Sequence, residues 1–305
     1  MKTTIVIPVC NELNNLEPLV EGILEHAAQY NPRILFIDDG STDGSSQMLD
    51  KLHERFLSVD VIRFRRNRGK SAALAEGFAY ADGDVIITMD ADLQDDPREI
   101  PRFFEKLNDG YDMVVGWKQV RHDPWSKTFP SRIYNGVADW LFNLGLNDIN
   151  CGFKAMRAEV AKNILLIGDM HRLIPVLAAE KGYRIGEIPV EHHPRRFGQS
   201  KYGHERFTRG ATDMITLYFL SRHREAPNHF FGGWGLGAGT VGVLIFLYAL
   251  LTWSWRSLLV SLVLMLGGGI LIGLGLIGEL AIRLYAEKNP AEKTPDQHEA
   301  EKFFH

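Results

Sequence analysis

Two stretches late in the chain set the hardest limit on how it can fold. Phe230 to Trp253 carries no charged residue over more than twenty positions, and Leu258 to Leu284 is a second such run, with Glu279 and Arg283 only toward its end. A helix needs about 20 apolar residues to cross a bilayer, so each run is long enough to span one. Between them, Trp253-Ser254-Trp255-Arg256-Ser257 reads as a tight hairpin with aromatics suited to the membrane interface. Arg222 and Arg224 precede the first run, Arg283 and Lys288 follow the second, and the hairpin offers only Arg256. The positive-inside rule therefore predicts both ends in the cytosol. Gly232–Gly242 and Gly267–Gly278 are rich in small residues, which permit close helix packing and suggest self-association.

Just upstream, Arg206 to Arg224 reads as an amphipathic helix, with Phe207, Ala211, Met214, Ile215, Tyr218 and Phe219 on one stripe. A core helix shows the same stripe, but its place ahead of an apolar run favours lying in the membrane interface. The expected division is a catalytic domain over 1–205, the amphipathic helix and linker over 206–228, a two-helix hairpin over 229–285 and a disordered tail over 286–305.

The first two hundred residues have a different rhythm. Apolar, β-branched runs at Thr3–Val9, Arg33–Ile37, Val59–Phe64, Val85–Met89 and Met113–Gly116 alternate with helical patterns. That alternation predicts an α/β domain with a parallel, doubly wound sheet and helices on both faces. No leader pattern precedes the first strand, so this domain is expected to stay in the cytosol. The formal charge of −4 argues against a nucleic-acid partner, and two cysteines without a CxxC offer neither a disulfide framework nor a zinc site.

Several of these strands end in carboxylates. Asp38 and Asp39 follow the second, and Asp90, Asp92, Asp95 and Asp96 follow the fourth. In open α/β sheets ligands lie outside the carboxyl ends of the strands, so with Pro8 to Glu12 these groups should meet in one crevice. Asp96-Pro97-Arg98-Glu99 reads as a helix start, with Asp at the N-cap and Pro next. Asp90 and Asp92, with the amide oxygen of Gln94, suit a hard divalent cation, because stacked acids at a strand end are costly without a counter-cation. Ser41, Thr42 and Asp43 serve equally well as ligand contacts or as a turn and helix cap. Gly69-Lys70-Ser71 is not a P-loop, since Phe64 stands where that motif needs glycine, and no GxGxxG follows the first strand. Lys70 at a helix start can still meet a phosphate, or be a surface residue.

Lys118, Arg121 and Arg132 bring cations toward the same mouth, where they would neutralise charge growing on a leaving group. Between His192 and Arg209, five Lys or Arg residues face one acid, Glu205. Such a run is usually a solvated face; ahead of membrane segments it also suits anionic headgroups. The neighbours His192 and His193 point opposite ways on an extended chain, which argues against a metal pair.

Taken together, Ile7-Pro8-Val9-Cys10-Asn11-Glu12, Asp38-Asp39-Gly40-Ser41, Asn67-Arg68-Gly69-Lys70, Asp90-Ala91-Asp92-Leu93-Gln94-Asp95-Asp96-Pro97 and Cys151-Gly152-Phe153-Lys154 resemble family-2 glycosyltransferases. More narrowly, the chain is similar to the polyprenyl-phosphate glycosyltransferases: the dolichol-phosphate mannose synthase group and bacterial undecaprenyl-phosphate glucosyl- and mannosyltransferases. The resemblance runs from Thr3 to about Arg283. It implies a GT-A fold, a UDP- or GDP-linked sugar donor, a polyprenyl-phosphate acceptor, and Mg²⁺ or Mn²⁺ held by Asp90, Asp92 and Gln94. It implies nucleoside contacts at Pro8, Glu12 and Asp39, and an acceptor phosphate held by Arg132 with Lys118 or Arg121, and by Arg195 or Arg196 with Lys201. Asp148 matches a position read as a base or as an organiser of the acceptor site. A phosphomonoester with its second pKa near ~6 is already a dianion at neutral pH, so Asp148 is expected to position groups rather than deprotonate the acceptor. The implied activity is inverting transfer of one sugar, glucose or mannose, by an integral membrane protein whose catalytic domain faces the cytoplasm of a bacterial inner membrane, as a homo-oligomer. A processive polysaccharide synthase would need a Gln-x-x-Arg-Trp motif, which is missing; a non-catalytic nucleotide-binding scaffold is the other alternative.

Overall fold

The computed structural model describes residues 2–119, 125–194, 205–223 and 226–288, with only the backbone described over helical residues 125–133, 205–211 and 286–288. The chain divides into two compact units, Met1–Met214 and Ile215–His305.

Among the described residues of the first unit, seven strands form one sheet: β1 (Thr3–Val9), β2 (Pro32–Asp38), β3 (Val59–Arg63), β4 (Val85–Thr88), β5 (Met113–Lys118), β6 (Lys154–Arg157) and β7 (Ile185–Val190). Their spatial order is β3-β2-β1-β4-β6-β5-β7. Ile5, Val6 and Ile7 of β1, Ile34 to Ile37 of β2 and Val85 to Ile87 of β4 are all buried. Continuous burial of successive residues means both faces are covered, which is what a parallel sheet requires. The helices are α1 (Leu16–Ala27), α2 (Ser45–Arg55), α3 (Lys70–Tyr80), α4 (Ile100–Asn108), α5 (Trp125–Phe142), α6 (Ala158–Asn163) and α7 (Ile174–Glu180). Helix α3 lies so close to the sheet that a Cβ on Gly77 would stand 2.2 Å from Val6 Cγ1.

The sheet departs from the expected all-parallel one at β6, which runs antiparallel between β4 and β5, pairing Thr88 with Lys154 and Met113 with Met156. Strand β5 runs parallel to β7. After β1 the chain builds outward through β2 and β3, then returns to place β4 on the other side of β1. That reversal is a topological switch point, where the ends of β1 and β4 open a crevice.

Helix α8 (Glu205–Arg222) contains the boundary between the units. Of its expected apolar stripe, Met214 is buried, Tyr218 and Phe219 are half-buried and Ile215 is exposed, while the side chains of Phe207 and Ala211 lie outside the described ones. The second unit continues as α9 (Pro227–Thr252) and α10 (Trp255–Lys288), each long and apolar enough to cross a membrane by length and composition. Trp253 adopts φ +52° and reverses the chain. A Cβ on Gly235 would stand 2.6 Å from the Gly268 carbonyl, and one on Gly242 would stand 2.8 Å from Met265 Cγ. Some of the small residues expected to promote self-association are thus spent inside the hairpin; Gly233, Gly237, Gly269 and Gly273 face open space.

Candidate active site

The acids after β2 are bound by the chain itself. Asp38 is fully buried; its Oδ1 accepts the Ser41 N–H at 2.9 Å, and its Oδ2 accepts Ser46 Oγ and the Arg63 guanidinium. Asp39 accepts the backbone amides of Arg68 at 2.6 Å and Gly69 at 2.9 Å, one on each oxygen. Burial raises the Asp39 carboxyl, and those two amides only partly offset it. Each oxygen keeps a second lone pair for a ligand. The loop after β1 is fixed the same way: Asn11, at φ +55°, donates its N–H to Ser41 Oγ, Glu12 N donates to Ser45 Oγ, and Leu13 N donates to Asp43 Oδ2. Ser41 and Asp43 thus tie the two loops together, while α2 begins after Gly44 without a side-chain cap on that residue. The Glu12 carboxylate accepts Asn15 Nδ2 at 2.6 Å.

The acids after β4 are met by ammonium groups. Lys70 Nζ, from the start of α3, donates to Asp90 Oδ1. Lys118, at the end of β5, pairs with buried Asp95 at 2.7 Å. Burial would raise the Asp90 carboxyl, but Lys70, Lys118 and Lys154 outweigh it and hold it well below the ordinary carboxylate range. Burial would likewise lower Lys118, and the charge of Asp95 reverses the sign and raises it. Asp92 is buried, and its Oδ1 accepts the Gln94 N–H at 3.2 Å. Leu93, between them, stands at φ +60°, a left-handed conformation that costs a non-glycine residue about 1–2 kcal/mol. Asp96 caps the next helix as expected, accepting the Arg98 N–H at 2.9 Å.

Beneath Asp90 lies a small cavity lined by Pro8, Lys70, Asp90, Asn150, Lys154 and His171. Gly152 closes one wall, where a Cβ would stand 2.7 Å from Asp90 Oδ2. Lys154 is 2% exposed and donates to the Cys151 carbonyl; burial, aided by Lys70, pulls its ammonium down to about 8. His171 pairs through Nδ1 with Ser71 Oγ at 2.9 Å, and burial keeps the ring neutral. Asp148, also buried, accepts Asn135 Nδ2 at 3.1 Å, while its own N–H donates to Glu187.

Sequence reading assigned no role to Lys154, Ser71 or Thr88, whose Oγ1 donates to the Gly152 carbonyl at 2.7 Å. A lysine interrupting a short apolar run was the available signal. Arg121, Arg195, Arg196 and Lys201 lie outside the described residues, and Arg132 sits on α5 with its side chain outside them.

Asp96, Glu191 and His193 bring three potential ligand atoms within 4.8 Å of one another. Arg98 already engages both Asp96 oxygens, at 3.1 Å and 2.6 Å, so a cation there would have to displace it. Asp90 and Asp92, at the switch point, are not part of that group.

The family model described as "Glycosyl transferase family 2" matches residues 4–165. A dodecaprenyl-phosphate galacturonate synthase of Rhizobium johnstonii is 35% identical over 93% of this chain and 89% of its own length. An undecaprenyl-phosphate 4-deoxy-4-formamido-L-arabinose transferase of Edwardsiella ictaluri is 33% identical over 92% and 89%. Two solved structures share the fold: a Pyrobaculum calidifontis mannosyltransferase in complex with GDP-Man and Mn²⁺, with TM-score 0.53 and 18% identity over 72% of this chain and 63% of that one, and a Mycobacterium tuberculosis glucosyl-3-phosphoglycerate synthase in complex with Mn²⁺, UDP and phosphoglyceric acid, with TM-score 0.56 and 17% identity over 72% and 78%.

Proposed function

The chain belongs to glycosyl transferase family 2 and has the GT-A fold, and from that premise we propose that it transfers one sugar from a nucleotide-diphosphate donor to a membrane polyprenyl phosphate. The observation that carries this reading is the acid cluster at the switch point, Asp90 and Asp92, set among lysines in a chain that continues into two apolar helices. The two relatives bear polyprenyl-phosphate names and match nearly the whole chain, helices included.

Asp90 and Asp92, with Gln94 Oε1, would hold Mg²⁺ or Mn²⁺. The donor set fits, since it is all oxygen, and the Asp90 charge is balanced by ammonium that a divalent ion can replace. When bound, the ion supplies Lewis-acid neutralisation of the diphosphate. The chain's own residues do the rest. Glu12 and Asp39 face the nucleoside from the ends of β1 and β2. Lys70, released from Asp90, is placed to meet a donor phosphate. Lys118, Arg121, Arg132, Arg195, Arg196 and Lys201 hold the acceptor phosphate, whose oxygen attacks the anomeric carbon opposite the departing diphosphate and inverts it. Buried Asp148 orients Asn135 and the turn leading to Cys151 instead of acting as a base. Catalysis is then alignment plus charge neutralisation. The catalytic unit faces the cytoplasm of a bacterial inner membrane, and the outward glycines of α9 and α10 support a homo-oligomer.

Glucose and mannose were the sugars expected from the sequence, but neither relative's name carries them. The donor panel therefore includes a uronic acid and a formamido-arabinose beside UDP-glucose and GDP-mannose. Full-length protein is incubated with each labelled donor, undecaprenyl phosphate and Mn²⁺ or Mg²⁺, then extracted into organic solvent. One sugar per lipid, abolished by chelation, is the expected product. Label that stays aqueous with every donor, or a growing polysaccharide, overturns the reading.

A further inference from the structure

Lys70 stands where its own helix gives its charge no support. It opens α3, and a cation in the first turn of a helix opposes the helix dipole. The loop before it is pinned, since the Arg68 and Gly69 N–H groups are both held by Asp39. The root of the side chain is therefore fixed, and its place is explained by what the ammonium reaches, Asp90 Oδ1.

The chain balances the charge around Asp90 with its own groups. Asp90, Asp92 and Asp95 supply three carboxylates from one loop, and Lys70, Lys118 and Lys154 supply three ammonium groups that act on Asp90. A divalent ion added alone would leave two positive charges uncompensated in a half-buried place, and a nucleoside diphosphate added alone would leave its negative charges so. Added together, they cancel. The three lysines are not equally able to respond. Lys118 has a side chain only 13% exposed, paired with fully buried Asp95 at 2.7 Å. Lys154 is buried and donates to the Cys151 carbonyl. The Lys70 side chain is 21% exposed, its partner Asp90 is 33% exposed, and its ammonium ends a flexible stem.

We infer that Lys70 is a resident counter-cation: it neutralises Asp90 until a divalent ion and a nucleotide arrive together, then passes from the carboxylate to the diphosphate. The inference deepens the proposed transfer and rests on it for Asp90 and Asp92 as the metal site. Its consequence is joint loading. Lys70 competes with a lone divalent ion for Asp90, so that ion binds weakly. While held by Asp90, Lys70 gives a metal-free nucleotide little attraction, so that ligand binds weakly too. Each should then strengthen the other, by the same factor.

The test uses full-length protein in nanodiscs, with Mn²⁺ alone, UDP or GDP alone, and the two together as probes, read by calorimetry and by the spin resonance of free Mn²⁺. Lys70→Met should bind Mn²⁺ alone at least about fivefold more tightly than the wild type, and nucleotide with Mn²⁺ at least about fivefold more weakly. Damage to the fold would weaken both. Asp90→Asn lets go of Lys70, so metal-free nucleotide should bind it at least about threefold more tightly than it binds the wild type, and the gain should vanish in the Lys70→Met, Asp90→Asn double variant. A gain that survives there reports the loss of a negative charge rather than the release of Lys70, and overturns the inference. So does a Lys70→Met protein whose two affinities move in the same direction or stay unchanged. Mn²⁺ that binds neither protein, with or without nucleotide, removes the metal site and the exchange together. None of these readouts needs turnover: the opposite shifts, found where no donor yields a lipid-linked sugar, uphold the exchange and remove only the proposed reaction.

Discussion

The ends of β2 and β4 carry the same kind of group and treat it in opposite ways. After β2, Asp38 and Asp39 are satisfied mainly by N–H groups of the backbone and by serine hydroxyls, which cannot leave without unfolding the loops they belong to. After β4, Asp90 and Asp95 are satisfied by Lys70 and Lys118, whose ammonium groups end flexible stems. An amide-capped acid is part of the scaffold; a lysine-capped acid can exchange its partner. Sequence alone makes the two clusters look alike. Their partners separate a rigid wall of the crevice from a site able to take up and give back positive charge.

The widest gap between the two clusters should appear in activity. Asp92→Ala should lower turnover by about 10²–10³-fold or more, the scale of losing a main electrostatic contact to the transition state, and should abolish the response to added Mn²⁺ with little change in melting temperature. Wild-type, metal-dependent transfer would erase the distinction. Stability comes next. Lys118→Met strands the buried Asp95 carboxylate and should cost about 3–5 kcal/mol in denaturant unfolding of the first unit. Asp39→Asn trades a charged acceptor for an amide against two backbone N–H groups and should cost only about 1–3 kcal/mol. If the two costs prove equal, the buried Asp95 charge does not depend on Lys118 as their 2.7 Å pair implies. Asp148→Asn should keep turnover within about tenfold, as an orienting group would and a required base would not.

The smallest effect is a pH slope. His171, beside Lys70, is held neutral well below its ordinary 6.5 by burial and then by the Lys70 charge. Below that pH the unfolded chain takes up a proton that the folded chain refuses, so stability falls as the solution is acidified. His171→Gln should remove up to about 1.4 kcal/mol per pH unit from the slope of stability between about pH 6.5 and 5. Thermal melts across that range, wild type against variant, measure it.

The elements that could be read in advance share a property. Strands β1, β2, β4 and β5 are mostly apolar runs, β3 alternates around Asp60, and α9 and most of α10 are apolar all round, so local pattern suffices. Strand β6, Lys154–Arg157, is four residues long with a lysine at its start, and β7 is broken by Gly186 and Pro189. Their identity as strands comes from the neighbours they pair with, which no local window contains. The site divides in the same way. The acids were visible because strand ends announce them. Lys70 was visible as a cation, but its bond to Asp90 joins residues 20 apart. His193, whose adjacency to His192 argues against a metal pair, meets Asp96 through a bond that spans 97 residues.

The antiparallel insertion of β6 also bears on how the chain is made. Among the described residues, the sheet neighbours of β5 are β6 and β7, both encoded after it, while β4 waits for β6 to cover its outer side. A nascent chain halted before Lys154 therefore presents β4 with an uncovered edge and β5 without any partner, and such open edges are templates for aggregation. The ribosome must release some forty residues past β5 before the centre of the sheet can close, which makes that interval the one in which a chaperone has most to protect.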